Sequence, residues 1–257
     1  MKKRSAMSKV LAVLLALILC ANLVLVAGTG NVAEAAGNST PYRNVVYYGE
    51  WSIYAGQKYF YPSYIDGSYI THLNFAFLDV DKSGNLVLCD EHADFLAILP
   101  EQSGITYGEP YAGVLGALAI LREKYPNMKI GISVGGWTRS GDFPAMAANA
   151  STRQNFARNI AKFVDYLGYD FVDIDWEYPG ANRAPDAAGN GVTIDKGCPG
   201  GPADKVNFTL LMQAIRDELD ALGAKNGKYY ELSCAMSASP TMMAEIEYDK
   251  VMEIVDF

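Results

Sequence analysis

Four acidic residues stand at short, regular intervals in Asp170-Phe171-Val172-Asp173-Ile174-Asp175-Trp176-Glu177. A β-strand sends alternate side chains to opposite faces. On a strand, Asp173, Asp175 and Glu177 share one face, and Val172, Ile174 and Trp176 share the other. Carboxylates two residues apart on a strand lie roughly 6.6 Å from each other. At an effective dielectric of about 20, two such charges repel by roughly 2.5 kcal/mol. That is nearly two decades in a protonation equilibrium, and burial adds to it. All three cannot comfortably ionise together, so at least one is expected to hold a proton near neutral pH. A held proton beside ionised carboxylates is the equipment of general acid catalysis. Two other readings remain open for the segment: an acidic face turned to water, and a divalent-cation site built from oxygen ligands.

Something must hold that strand. Short apolar runs alternate with helical stretches along the chain. Tyr42 to Gly49, Ile70 to Leu78, Met128 to Gly135, Tyr169 to Glu177 and Tyr229 to Ala238 read as strands, and Glu253 to Phe257 begins a sixth. Helices are predicted over Gly113 to Lys124, from a Ser151 cap to Leu167 with Gly168 closing it, and over about Ala203 to Leu222 with Gly223 closing it. Alternating strand and helix predicts a parallel sheet with helical crossovers. The segments that follow strands are long: Ser52 to Ser68, Asp79 to Tyr111, Thr138 to Ala150 and Pro179 to Pro202. That asymmetry fits a (β/α)8 TIM barrel, whose active-site face is built from the segments after the strands. Gly180 to Pro202, rich in Gly, Pro, Asn and Asp, reads as a functional loop within this scheme. About six strands are present against the eight a barrel needs, so the chain is expected to be a piece of a longer protein.

The first 35 residues read as a separate object. Lys2, Lys3, Arg4 and Lys9 precede an apolar run from Val10 to Ala27, and Ala33-Glu34-Ala35 offers an A-x-A cleavage site. This is the layout of a secretory signal peptide, a membrane anchor being the alternative. Cleavage would leave residues 36–257 as a secreted, extracellular chain with 17 basic and 28 acidic residues, a net charge of −11. Such a surface repels nucleic acid and anionic membranes and tolerates a neutral partner. Three cysteines would remain, Cys89, Cys198 and Cys234. An odd number excludes a complete internal disulfide framework, though a Cys89–Cys198 bridge is compatible with an oxidising compartment. Only two histidines occur, His72 and His92, which gives a His-rich metal centre little support.

The acidic strand resembles the D-x-x-D-x-D-x-E signature of family 18 glycoside hydrolases, which include chitinases. Asp170, Asp173, Asp175 and Glu177 fill every fixed position, and Trp176-Glu177-Tyr178-Pro179 extends the likeness. Phe171 stands where many members have Gly. Ser133-Val134-Gly135-Gly136-Trp137 is similar to the family's S-x-G-G motif on the third strand. Val46-Tyr47-Tyr48 with Trp51, and Asn74-Phe75-Ala76-Phe77, look like its first two strands.

The resemblance implies hydrolysis of β-1,4 bonds in chitin or other N-acetylglucosamine polymers, by substrate-assisted catalysis with retention. No cofactor and no metal enter that scheme. Glu177 would be the acid, with Asp175 and Asp173 catalytic beside it and Ser133 and Asp170 supporting them. Tyr47, Phe75, Gly136, Trp137 and Tyr178 would bind sugar, with Trp51 a further candidate. Trp176 is assigned to packing. The family's M-x-Y tyrosine and its last-strand tryptophan have no counterpart in the chain, so it is expected to be inactive by itself. The implied protein acts as a monomer on chitin or N-acetylglucosamine oligosaccharides. Two rival functions share the scaffold: a non-catalytic carbohydrate-binding protein, and an endo-β-N-acetylglucosaminidase acting on N-glycans or peptidoglycan.

Overall fold

The computed structural model describes residues 42–186 and 195–257. The expected leader over residues 1–35, and residues 187–194 of the expected functional loop, lie outside the described residues. The strands are β1 (Val45–Gly49), β2 (His72–Val80), β3 (Leu86–Leu88), β4 (Lys129–Gly135), β5 (Phe171–Asp175), β6 (Asn182–Arg183), β7 (Cys198–Pro199) and β8 (Glu231–Cys234). The helices are α1 (Gly113–Lys124), α2 (Phe143–Ala148), α3 (Ala150–Leu167), α4 (Asp204–Asn226), α5 (Pro240–Met243) and α6 (Tyr248–Val251).

Five strands pair in parallel in the order β1-β2-β4-β5-β8. Strand order follows chain order, and α1, α2 with α3, and α4 supply the crossovers. This is the wall of a (β/α)8 barrel, five strands of it among the described residues. The short β3 folds back antiparallel on the end of β2, and β6 pairs with β7 inside the loop after β5. At the chain's end no further strand is formed, yet Asp256 N–H donates to Leu232 O at 2.8 Å and Cys234 N–H to Phe257 O at 3.3 Å. Those bonds run along β8, where a sixth strand was expected.

Strands covered on both faces read as nearly continuous apolar runs. In β4, six of seven residues are buried. On the helical side, Trp176 stacks on Phe143 at 5.4 Å and meets Phe208 edge-on at 6.0 Å. The packing role expected for Trp176 is the one it has. Helix α3 turns Phe156, Ile160 and Val164 inward at helical spacing. It starts two residues earlier than predicted: Asn149, not Ser151, is the cap, its side chain accepting from Ser151 N–H at 3.0 Å. Gly168 closes it in the left-handed region, as predicted. Helix α4 runs through Gly223 to Asn226 and closes at Gly227 instead.

Register then builds the inside of the barrel in rungs. One rung joins Tyr47, Asn74, Gly131, Phe171 and Glu231. Phe171 fits because Gly131 beside it has no side chain; a Cβ there would lie 2.4 Å from the Phe171 ring. The next rung toward the strands' C-terminal ends joins Gly49, Ala76, Ser133, Asp173 and Ser233. The three cysteines in the described region are free thiols. The bridge between Cys89 and Cys198 is absent because each sulfur sits in its own surroundings, the first against Arg139 and the second near the Tyr178 carbonyl.

Candidate active site

Asp173 sits in the middle of β5 and is 2% exposed. Its rung neighbours Ser133 and Ser233, and Tyr47 from the adjacent rung, reach it directly. Oδ2 accepts from Tyr47 Oη at 2.9 Å and Ser133 Oγ at 2.8 Å, and Oδ1 accepts from Ser233 Oγ at 2.6 Å. Burial pushes this carboxyl up, against three hydroxyls that favour the ionised form. Asp175, two residues nearer the strand end and 8% exposed, is pushed up to about 8. Burial is the first cause, followed by the charges of Glu177 and Asp173. The proton that crowding was expected to retain is thus held near neutral pH by Asp175.

The strand ends at Asp175, two residues sooner than predicted, and Glu177 lies in the turn beyond it. Its backbone N–H donates to Ser140 Oγ at 2.8 Å, which anchors the turn. The half-buried Glu177 carboxylate accepts from the Tyr178 hydroxyl. Burial and that bond push Tyr178 up to about 12. The Ala76–Phe77 and Glu177–Tyr178 peptide bonds are cis.

Glycines make the approach of β4 to β5 possible. Gly136 N–H donates to Asp175 O at 2.7 Å. Gly135 has φ 117°, and a Cβ on it would stand 2.2 Å from that same carbonyl oxygen. Gly136 has φ 87°, and its Cβ would touch the Phe77 ring at 3.1 Å. Both need a conformation that side-chain-bearing residues avoid. The S-x-G-G segment therefore does two things: Ser133 bonds Asp173, and the glycines set the backbone of Asp175 and the ring of Phe77.

Above this acid stack opens a cavity of about 350 Å³, lined by Tyr47, Phe77, Asp175, Glu177, Tyr178, Ala235 and Met236. A groove of about 460 Å³ between Phe95, Tyr111 and Tyr166 lies away from all three acids. The first cavity has apolar walls and a few convergent polar groups, the usual make-up of a small-ligand site. The arrangement can protonate a leaving oxygen from Glu177 and face a developing positive charge with Asp175 over Asp173.

The expected sugar-binding residues separate. Tyr47 and Tyr178 line the cavity, and Gly136 supports it from behind. Trp137, 42% exposed, is held by its indole N–H, which donates to Asp186 Oδ2 at 2.7 Å. The Arg183 guanidinium lies over its ring at 4.1 Å. Trp51 stacks on Phe77 at 6.1 Å. Phe75 is a correction: it is fully buried and faces the helical layer. An extra residue in β2 shifts the pairing between Ala76 and Leu78, so the period-two count breaks and Phe77, not Phe75, enters the cavity. Asp170 is remote from the cavity. At the opposite end of β5 its carboxylate accepts from Ile130 N–H at 2.9 Å and Lys228 Nζ at 2.6 Å, which ties β4 to β5. Ser233, Ala235 and Met236 escaped the sequence reading; only the register of β8 against β5 brings them here.

A parallel barrel wall with an acid stack toward the C-terminal end of one strand has the active-site layout of a (β/α)8 enzyme. The match to the family described as "Glycosyl hydrolases family 18" covers residues 43–257, and the chain belongs to that family. It is 36% identical to Chitinase A1 of Niallia circulans, over 88% of this chain and 34% of that protein. It is 34% identical to Endochitinase 1 of Metarhizium robertsii, over 84% of this chain and 46% of that protein. Among solved structures, chitinase ChiA74 from Bacillus thuringiensis superposes with a TM-score of 0.73 at 34% identity, covering 83% of this chain and 38% of that one. The chain thus spans less than half the length of these relatives.

Proposed function

We propose that the whole protein hydrolyses β-1,4 bonds between N-acetylglucosamine residues in chitin or a closely related polymer. The observation that carries this reading is the cavity in which Asp175 and Glu177 face Tyr47, Phe77 and Tyr178 above the buried Asp173. Glu177 gives its proton to the glycosidic oxygen as the C1–O bond breaks. The acetamide oxygen of the same sugar attacks C1 and forms an oxazolinium ring. Asp175 orients the acetamide N–H and balances the positive charge, while Asp173, fixed by Tyr47, Ser133 and Ser233, exchanges a proton with Asp175 from beneath. Glu177 then takes a proton from water, the water oxygen bonds to C1 from the face the leaving group left, and the acetamide is restored. Tyr47, Phe77 and Tyr178 offer ring faces to the sugar and its N-acetyl methyl group, with Trp51 and Trp137 extending the surface. The names of the relatives support chitin as the substrate. Residues 1–35 act as a cleaved leader in this reading, which places the enzyme outside the cell.

A panel of chitin oligosaccharides, N-glycosylated protein and peptidoglycan tests the substrate. Cleavage of the oligosaccharides at least tenfold faster than the other two is the expected result. Preferred release of N-glycans would move the protein to the endo-β-N-acetylglucosaminidases. Binding of chitin oligosaccharides without cleavage of any substrate would make it a lectin.

A further inference from the structure

A second pair of carboxyls is buried beside the cleft, outside the acid strand. Glu50, which follows β1, is 2% exposed, and Asp94 is fully buried. Both Asp94 oxygens and Glu50 Oε2 are buried without a hydrogen-bond partner from any other group, and the two carboxyls lie against each other. Carboxylates only accept, so a bond between two carboxyls needs one of them to carry the proton. Glu50 Oε1 also accepts from Arg139 Nη2 at 2.9 Å, and Arg139 is itself 8% exposed. Arg139 stands beside two buried acids, and a second buried negative charge carries a large desolvation cost. The group beside the guanidinium, which burial pushes up to about 7, is therefore the first to ionise, and Asp94 keeps its proton to higher pH. Burial first, and then the Glu50 charge, hold Asp94 well above the usual carboxylate range.

The guanidinium connects this pair to the cleft. Its carbon lies 6.0 Å from the centre of the Trp51 ring and 5.7 Å from that of Phe77. Its Nε–H donates to Cys89 Sγ at 2.7 Å, which fixes the plane from a third side. The two rings stack at 6.1 Å with 26° between their planes, and Phe77 lines the cavity together with Asp175 and Glu177. Other titratable groups facing the cluster are Asp90, which accepts from Tyr54 Oη at 2.7 Å, Asp79 near Arg139, and the Cys89 thiol, which burial pushes up to about 12.

We propose that Asp94, Glu50 and Arg139 are positioning residues: neutral Asp94 donates to ionised Glu50, which seats Arg139 behind the Trp51–Phe77 wall and so sets the affinity of the cleft for a sugar chain. This rests on the cleft being the sugar site. Asp94→Asn keeps a donor toward Glu50 and removes the titrating proton. Asp94→Leu removes the donor. Arg139→Lys keeps the charge and loses the flat guanidinium.

The test is KM and kcat of the whole protein for chitohexaose from pH 6 to 10, with the Kd for the same sugar read by tryptophan fluorescence in a Glu177→Gln background. Asp94→Leu and Arg139→Lys are expected to raise KM and Kd roughly tenfold, equal to about 1.4 kcal/mol, with kcat within twofold of the parent. Asp94→Asn is expected to restore the parental KM and to abolish its rise at alkaline pH. Unchanged Kd in Arg139→Lys, or an Asp94→Asn as impaired as Asp94→Leu, overturns the proposal. If Asp94→Leu does not fold, Arg139→Lys and Asp94→Asn still decide the matter. A parent that binds chitohexaose, with variants that bind it equally well, sinks the relay alone; a parent that binds none sinks the sugar site with it.

Discussion

Glu177→Gln is expected to lower kcat on chitin oligosaccharides by roughly 10²- to 10⁴-fold, the usual contribution of a positioned general acid. The Kd for the same sugars should stay within a few-fold. Glutamine matches the shape of glutamate and can still accept from the Tyr178 hydroxyl, which bonds the Glu177 carboxylate. It cannot give up a proton to the departing oxygen. The backbone anchor from Glu177 N–H to Ser140 Oγ is untouched, so the turn keeps its course. Steady-state kinetics with equilibrium binding on one preparation separates the two quantities. Turnover within tenfold of the parent would remove Glu177 from the acid role.

Asp175→Asn is expected to act on both activity and stability, in opposite directions. Turnover falls, because a neutral amide cannot balance the charge of an oxazolinium ring. Stability rises, in a pH-dependent way. The folded carboxyl titrates near 8, and an unfolded one near its ordinary acidic value. Between about pH 4 and pH 8 the folded protein therefore holds a proton that the unfolded chain has lost. Stability of the parent falls as pH rises across that window and levels off above it. Asparagine does not titrate there. The variant should melt at the parental temperature near pH 4 and be more stable near pH 8 by an amount on the order of a few kcal/mol. Thermal or urea unfolding at the two pH values reads the difference. An equal gain at both pH values would mean that Asp175 does not carry the buried proton.

The barrel and the acid strand were legible in the sequence because each depends on local pattern. Apolar strand runs alternate with helices, and one strand carries carboxyls at period two. Ser133 could be placed beside the acids through its motif, whereas Tyr47, expected only as a sugar contact, also bonds Asp173. The remainder of the site is fixed by relations between distant segments. Ser233 reaches Asp173 through the register of β8, which nothing within Glu231–Cys234 announces. Phe77 leaves the face of Phe75 because of one irregular step between Ala76 and Leu78. Period two would put both rings on one face, and the bulge breaks it. The early end of β5 places Glu177 on a turn held by Ser140, a serine from a different loop. The Glu50–Asp94 pair joins residues on two loops whose sequences look like ordinary polar connections. Gly223 sits inside α4 because the helix continues to Gly227, where the left-handed turn is made.

The central claim is that the sugar's own acetamide displaces the leaving group while Glu177 supplies the proton. Proton NMR of chitohexaose hydrolysis in its first minutes, with cellohexaose as the control lacking an acetamide, tests it most directly. The expected result is products that appear first as the β-anomer and later equilibrate, with no cleavage of cellohexaose. First appearance of the α-anomer, or cleavage of cellohexaose at a comparable rate, would contradict it.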